Sequence, residues 1–239
     1  MQSSNHRIFI PYHAPALFDR ALECSRFEQG VAVVILCAAS IEALTHDLTE
    51  WYKIAVDHKD ACPNKDRESK GFFRSSYVFC VSFLHSITEQ EIKACEGLQA
   101  LEKERRGLED KIEFIFKAFG EKPPKGTKVW QEFILLNNIR NEIVHAKGET
   151  LKQDQSFSLS DGKNSLIEGY PDFVKDLQRK GLVCVPDALD KGKSWLELIE
   201  KDSRFLNWCI EVTRNYFKAI IKVIPDSHMS LGFKSEIRF

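Results

Sequence analysis

The chain has 239 residues, of which 43% are hydrophobic and 29% charged, a balance that excludes a disordered or fibrous protein. Its 34 lysine and arginine residues oppose 35 aspartate and glutamate residues, and the net charge of -1 excludes broad electrostatic coating of nucleic acid or of an anionic membrane. At roughly 150 residues per domain, the length predicts a single domain over residues 1–239 that carries one insertion.

The N-terminal part carries no signal for secretion or membrane insertion. Residues 1–14, a predicted N-terminal arm, lack the apolar core of a secretory signal. The longest uncharged apolar run, Val31–Ile41, is about half of the roughly 20 residues that a membrane span requires. We therefore expect no membrane contact and a cytoplasmic location. The seven cysteines show no CxxC spacing, which indicates neither a disulfide framework nor a zinc ribbon, and most are expected to be buried.

Apolar residues recur near the helical period along most of the chain. Pro15 suits a first helical position, and the sequences that begin at Thr88 and Ser194 both have the form of a capping box. The predicted helices span residues 15–27, 31–56, 75–86, 88–119, 127–147 and 194–223. Because four of them are long, we predict an all-α, up-and-down helical bundle of four long helices plus short helices.

Other segments depart from this helical pattern. Residues 148–193 are rich in Gly, Ser, Lys and Asp and form a predicted insertion before the last long helix. Within it, Pro171–Arg179 is a short amphipathic piece and Leu182–Val185 a possible strand. Residues 225–239 form a C-terminal tail of undetermined structure. The mixed charges of Lys103–Lys111 indicate a solvated helical face.

The helix that ends at Lys147 carries two apolar strips on different sides. The strip predicted to pack into the core consists of Leu135, Leu136, Ile139, Ile143 and Ala146. The other strip consists of Trp130, Phe133 and Ile134, and it needs cover from another part of the chain or from a partner subunit. We expect dimerisation through this second strip.

The last turns of the same helix are polar and suit phosphodiester chemistry. Arg140 carries a permanent charge and a planar fork that binds phosphate oxygens, His145 can exchange protons near neutral pH, and Asn141 can orient either group. On an ideal helix Arg140 and His145 point about 140° apart. Their convergence therefore requires the reach of the arginine, a distorted helix end, or two copies that meet at a symmetric interface. The alternative is a surface ion pair for Arg140 and a core hydrogen bond for His145.

The string Arg140-Asn141-Glu142-Ile143-Val144-His145 resembles the signature of HEPN domains, an arginine, a polar residue and a histidine near the end of a bundle helix. The earlier segment Ala38–Leu44 is similar to the small-residue, glutamate-bearing helix that packs beside the motif helix in many HEPN proteins. The resemblance covers residues 30–224. The glutamate of the earlier segment, Glu42, is either part of the site or a structural carboxylate.

Many HEPN proteins are metal-independent endoribonucleases that act as homodimers. The resemblance therefore implies RNA as the substrate, no cofactor and no metal, and catalytic roles for Arg140, Asn141 and His145. His145 would activate the ribose 2'-hydroxyl or protonate the leaving 5'-oxygen, and Arg140 would stabilise charge on the phosphate. The products would carry 2',3'-cyclic phosphate and 5'-hydroxyl ends. The resemblance also implies a toxin or antiviral-defence effector, with an antitoxin or defence protein as a further partner.

Two other interpretations stay open. A non-catalytic HEPN-like helical module that binds RNA, a nucleotide or a partner protein would suit the near-zero net charge. A di-iron carboxylate bundle would use the ExxH spacing of Glu142 and His145, but it needs a second such motif and further inward glutamates. Glu42 and His46 could add ligands, yet Arg140 would place a fixed positive charge beside the metal.

Overall fold

A computed structural model describes residues 12–61, 84–145, 170–185 and 194–237. This part of the chain is helical and contains no β-strand, which confirms the predicted all-α class. The helices are α1 (His13–Arg26), α2 (Gly30–Ala61), α3 (Glu89–Lys103), α4 (Leu108–Ala118), α5 (Lys128–Val144), α6 (Asp172–Arg179), α7 (Trp195–Glu200), α8 (Ser203–Val223) and α9 (His228–Glu236). The up-and-down order stays a prediction. Most of the predicted helix at 75–86, most of the N-terminal arm and most of the insertion lie outside the described residues.

The chain divides into two compact units. The first, which we call the terminal unit, is drawn from Met1–Ala16, Ser40–Pro124 and Phe217–Phe239. The second, which we call the motif unit, is drawn from Leu17–Ala39 and Lys125–Tyr216. Both α2 and α8 contribute residues to each unit. The assignment of a single domain stays a prediction.

The predicted helix from Thr88 to about Phe119 is in fact two helices. Thr88 begins α3 with the predicted capping box: the Thr88 side chain accepts from the Glu91 amide at 3.2 Å, and the Glu91 carboxylate accepts from the Thr88 amide at 2.8 Å. The chain then turns between α3 and α4, where Arg105 has a φ of 55° and Gly107 is the N-cap of α4. A left-handed residue cannot continue an α-helix, so the helix breaks here.

The two helices α3 and α4 pack as an antiparallel hairpin. The Gln90 side chain at the start of α3 donates to the Ala118 carbonyl at the end of α4, at 2.9 Å. Midway along, a Cβ on Gly97 would lie 1.9 Å from the Phe114 ring, so glycine allows the close approach. Residues 102–107 are exposed. The charged run is solvated as predicted, but much of it lies on the turn of a hairpin.

The predicted C-terminal tail contains α9, which the sequence pattern did not reveal. Two aromatic residues of α2 hold it: Trp51 donates from Nε1 to the Met229 carbonyl at 2.9 Å, and the Tyr52 hydroxyl lies 2.7 Å from the Ser230 hydroxyl. Phe233 of α9 is fully buried, and its ring lies 6.3 Å from the Trp51 ring. Burial raises the pKa of Tyr52 above its ordinary value. The tail is therefore part of the core of the terminal unit.

The predicted last helix from Ser194 to about Val223 is likewise two helices, α7 and α8. Ser194 caps α7, but its side chain accepts from the Leu196 amide at 3.3 Å, while the Glu197 amide donates to the Ser194 carbonyl. The predicted second capping box is therefore not formed. The next helix, α8, begins directly after Asp202, whose carboxylate accepts from the Arg204 amide at 3.0 Å. The Arg204 side chain, which also donates to it, holds the pKa of Asp202 below its ordinary value.

The beginning of α2 lies directly against α7 in the motif unit. A Cβ on Gly30 would lie 2.1 Å from the Ile199 carbonyl oxygen and 2.8 Å from the Glu200 Cα. The next amide, that of Val31, donates to the Glu200 carboxylate at 3.1 Å. Because the obstacle is backbone, a side chain at position 30 could fit only if α7 moved away.

Replacing Gly30 with alanine is therefore expected to lower the free energy of unfolding by about 3 kcal/mol, the upper part of the range for overpacked sites. Gly107→Ala is the matched control, because a Cβ there meets nothing within 4 Å. The control should cost less than about 1 kcal/mol. Urea unfolding followed by circular dichroism measures both values. Equal losses in the two variants would contradict the close approach at Gly30.

The second helix, α2, is longer than the sequence run on which the absence of a membrane span was predicted. By length and composition, Gly30–Asp57 could cross a membrane, whereas the shorter run Val31–Ile41 predicted no span. Of the most apolar 18-residue stretch of this helix, 56% is buried inside the protein. The helix also buries polar residues, among them Asp47, which accepts from the amides of His13 and Ala14 at 2.9 and 2.8 Å. The core helix of a soluble protein can be equally long and apolar, so the length and composition of α2 are weak evidence for a membrane location.

Three of the five described cysteines are buried, as predicted: Cys37, Cys95 and Cys209. Burial raises the pKa of the Cys37 thiol to about 12 and that of Cys95 to about 11. These thiols stay protonated and behave as small hydrophobic side chains. Cys24 is half-buried and Cys184 exposed. The remaining two cysteines lie outside the described residues.

Candidate functional site

The motif lies at the C-terminal end of α5. Thr127 caps the start of this helix as predicted, because its side chain accepts from the Trp130 amide at 3.3 Å. The helix ends at Val144, three residues before the predicted end at Lys147. His145 is the C-cap, with φ -104° and ψ 16°, and its amide donates to the Asn141 carbonyl at 2.9 Å. His145 therefore keeps the last main-chain hydrogen bond of the helix, while its own φ and ψ end the helix.

Both apolar strips of α5 are largely buried inside the protein. Leu135, Leu136 and Ile139 are buried, as predicted for the core strip, and so are Trp130 and Phe133 of the second strip. The Phe133 ring stacks on the Tyr216 ring of α8 at 4.4 Å, and the Trp130 ring packs edge-on against Phe133 at 5.8 Å. The prediction that this second strip forms the dimer interface is therefore wrong. Residues of the same chain cover it.

The three predicted site residues lie within a turn and a half of one another. Arg140 and Asn141 are half-buried, and the guanidinium donates from Nη1 to the Asn141 side-chain oxygen at 3.0 Å. The main-chain oxygen of Asn141 accepts from the His145 amide. Asn141 thus contacts both of the other residues. The His145 side chain is exposed, so the alternative of a hydrogen-bonded core histidine is wrong.

An open groove of about 610 Å³ runs beside the motif in the motif unit. Asn138, Asn141 and Glu142 of α5 line one side, and residues 170–173 of the predicted insertion line the other. No part of the insertion was predicted to lie at the motif. The amphipathic pattern of Pro171–Arg179 was the available signal, because its apolar face had to pack against something.

The part of the insertion beside the groove is a short, well-anchored helix. It forms α6 as predicted, and Phe173, Val174 and Leu177 are buried. The Phe173 ring packs edge-on against the Trp195 ring of α7 at 5.1 Å. This packing anchors α6 at the side of the groove.

The predicted strand at Leu182–Val185 is not formed. Gly181 adopts a φ of 68° and donates to the Gln178 carbonyl, while the Leu182 amide donates to the Leu177 carbonyl. This pair of hydrogen bonds is a Schellman motif, which ends a helix by satisfying its last carbonyls. Val183 is buried. The apolar residues after α6 therefore complete its C-terminal cap and pack into the motif unit.

The electrostatics of the groove differ from those of the motif. Glu142 and Asp172 place two exposed carboxylates on its lining, and the described lining includes no cationic side chain. Lys175, one turn along α6, lies 3.4 Å from the Asp172 carboxylate. The guanidinium of Arg140 also lies next to the groove, through its bond to Asn141. A phosphate would therefore be attracted to Arg140 and repelled from the groove.

The residues considered for a metal belong to different units. Glu42 and His46 lie in the terminal unit, where both are exposed and His46 is 4.0 Å from Glu102. Glu142 and His145 lie in the motif unit. Among the described residues, no three His, Cys, Asp or Glu side chains are close enough to share a metal ion.

Comparisons of the chain with protein-family models, with curated proteins and with solved structures find no match. The resemblance to HEPN domains therefore rests on the motif and its helical context.

Proposed function

We propose that this protein is a metal-independent endoribonuclease of the HEPN type, with Arg140, Asn141 and His145 as its catalytic residues. The observation that carries the proposal is the arrangement around Asn141. Its side chain accepts from Arg140, and its carbonyl accepts from the amide of the exposed His145. The Asn141 side chain thereby holds a phosphate-binding group, and the main chain places a proton-exchanging side chain about one turn further along the same helix end.

In the proposed reaction the two groups act on one phosphodiester. His145 accepts the proton of the ribose 2'-hydroxyl, whose oxygen attacks the adjacent phosphorus. Arg140 stabilises the negative charge that develops on the phosphate oxygens. The bond from phosphorus to the 5'-oxygen breaks, and the partner subunit's His145 donates the proton that this oxygen takes up. The products are a 2',3'-cyclic phosphate and a 5'-hydroxyl.

The test incubates the full chain with mixed RNAs in excess EDTA and identifies the new ends by mass spectrometry. We expect cleavage with cyclic phosphate and 5'-hydroxyl ends. The matched control is an oligonucleotide with a single 2'-deoxy substitution at the scissile nucleotide, which should stay intact because it lacks the nucleophile. Cleavage of that control, or no cleavage of any RNA, would contradict the proposal.

A homodimer is part of the proposal, and the exposed surface suggests where it forms. Val144, next to His145 at the end of α5, is a large apolar residue with 51% of its surface exposed. An interface that brings two copies of this helix end together would cover Val144 and place two copies of the motif in one cleft. This surface replaces the second apolar strip as the proposed interface.

Val144→Asp is therefore expected to weaken the dimer by about tenfold or more, since burying an aliphatic side chain contributes roughly 1.5–3 kcal/mol. RNA cleavage should fall in parallel. Leu231→Asp is the matched control, because Leu231 is 47% exposed and belongs to the terminal unit. Analytical ultracentrifugation across micromolar concentrations measures the dissociation. A wild-type monomer throughout that range would contradict this interface.

The second candidate function is a non-catalytic module that binds RNA or a nucleotide. The open groove beside Asn141 favours it, because such a groove can hold a ligand without any reaction. Binding of RNA without cleavage in the same assay would support this candidate. For the nuclease, the HEPN resemblance further supports a cytoplasmic toxin or antiviral-defence effector that an antitoxin or defence protein restrains.

A further inference from the structure

The groove beside the motif has a lining that suits a nucleobase. Its volume of about 610 Å³ lies within the roughly 300–1,000 Å³ that is usual for small-molecule sites. The lining combines an aromatic residue, Tyr170, with two amides, Asn138 and Asn141, and with the carboxylates described above. Single-stranded RNA is recognised by stacking of splayed bases on aromatic side chains and by hydrogen bonds to the base edges.

The groove is next to the position where a phosphate would bind. Asn141 lines the groove and at the same time accepts from the Arg140 guanidinium at 3.0 Å. A phosphate held by Arg140 would therefore place an adjacent nucleotide at the groove. The carboxylate of Glu142 would repel the backbone, so the base and not the phosphate would enter.

The polar groups of the lining suit guanine better than uracil. A carboxylate accepts two hydrogen bonds from guanine, at N1–H and at the exocyclic amine, whereas uracil offers a single N–H between two carbonyl oxygens. Asp172 lies 3.4 Å from the Lys175 ammonium, so Glu142 is the carboxylate available for this contact. The amide of Asn138 can donate to the remaining oxygen of guanine.

We infer that this groove binds a guanine base of single-stranded RNA beside the scissile phosphate, an inference that rests on the proposed function. Tyr170 stacks on the base, Glu142 accepts from N1–H and the exocyclic amine, and Asn138 donates to O6. The groove residues of the insertion thereby determine which nucleotide is selected. They take no part in the bond-breaking step.

The test measures binding without cleavage. The probes are fluorescent 2'-O-methyl uridine octamers whose central base is G, A, C or U, because 2'-O-methyl groups remove the nucleophile. Fluorescence anisotropy with the full chain at one fixed salt concentration gives each dissociation constant. We expect the G probe to bind about tenfold more tightly than the U probe, since a bidentate base contact contributes roughly 1–3 kcal/mol.

Three variants separate the contributions. Glu142→Gln should reduce the preference for G over U to less than about twofold, because its side chain keeps a single acceptor oxygen and places an NH2 donor against the second N–H group of guanine. Tyr170→Ala should weaken binding of every probe by about tenfold, as expected for loss of one stacked base. Asp176→Asn removes an exposed carboxylate of α6 that does not line the groove and should leave the preference unchanged.

Equal binding of the four probes, or a preference for G that persists in Glu142→Gln, would overturn the inference. The same RNAs without 2'-O-methyl groups keep this result distinct from the nuclease proposal. A preference for G without cleavage would reject the nuclease and support the groove. Cleavage without any base preference would support the nuclease and reject the groove.

Discussion

Replacing His145 with alanine is expected to lower the rate of RNA cleavage by roughly 10²–10⁴-fold, the range for loss of a general acid or base. The fold should tolerate the change. His145 is the exposed C-cap of α5, and the hydrogen bond that it makes to Asn141 comes from its main chain. Substitutions at such exposed positions usually change the free energy of unfolding by less than about 0.5 kcal/mol.

The assay compares wild type and variant on the same RNAs in excess EDTA, with urea unfolding as the measure of stability. His46→Ala is the matched control, because His46 is also an exposed histidine at a helical surface but lies in the terminal unit. It should cleave at the wild-type rate. Unchanged cleavage by His145→Ala would exclude the proposed site. A loss of cleavage that accompanies unfolding would show that the histidine acts on stability.

The largest expected loss of stability follows from removing Glu91. This residue is fully buried and accepts from the amide and hydroxyl of Thr88, both at 2.8 Å, and from the hydroxyls of Ser227 and Ser230. It thus caps α3 and ties the start of α9 to α3 within the terminal unit. Glu91→Ala would remove this fully buried acceptor from the buried Ser230 hydroxyl and from the partly buried donors of Thr88 and Ser227, and it should lower the free energy of unfolding by about 3–5 kcal/mol.

Urea unfolding followed by circular dichroism measures this loss, and two further variants test its cause. Glu91→Gln keeps the shape and one acceptor oxygen, so it should lose about half as much stability as the alanine variant. Glu89→Ala removes an exposed carboxylate from the same first turn and should cost less than about 1 kcal/mol. If the losses at positions 89 and 91 were equal, the network around Glu91 would not be what stabilises this unit.

Local patterns predicted the helices whose ends are marked by local chemistry. The bounds predicted for α1 and the beginning of α2 were close, and the caps at Thr88 and Thr127 formed as expected. The two longest predicted helices, 88–119 and 194–223, were wrongly predicted to be continuous. Each breaks at a short turn, at Arg105 in one case and before Asp202 in the other. Helical periodicity continues across such a turn, so the apolar pattern does not report the break.

The candidate site shows the same division. Arg140, Asn141 and His145 could be selected from residue type and spacing, because their chemistry does not depend on the rest of the fold. The residue that covers Phe133 could not be predicted in this way. Tyr216 lies more than eighty residues away in the chain, and only the packing of α8 brings it to Phe133. Tyr170 and Asn141 line the same groove, and this placement likewise depends on tertiary packing.

The sequence by itself determined that the described part of the chain is helical and that one helix ends in Arg140, Asn141 and His145, residue types that suit phosphate binding and proton exchange. Both properties are local, because helical periodicity and side-chain chemistry are present in any short segment. The tertiary structure alone decided which apolar face is covered, that the C-terminal residues form a core helix, and that part of the insertion forms a groove with Asn141. These depend on packing between residues distant in the chain, and a pattern along one segment carries no information about the segment that covers it.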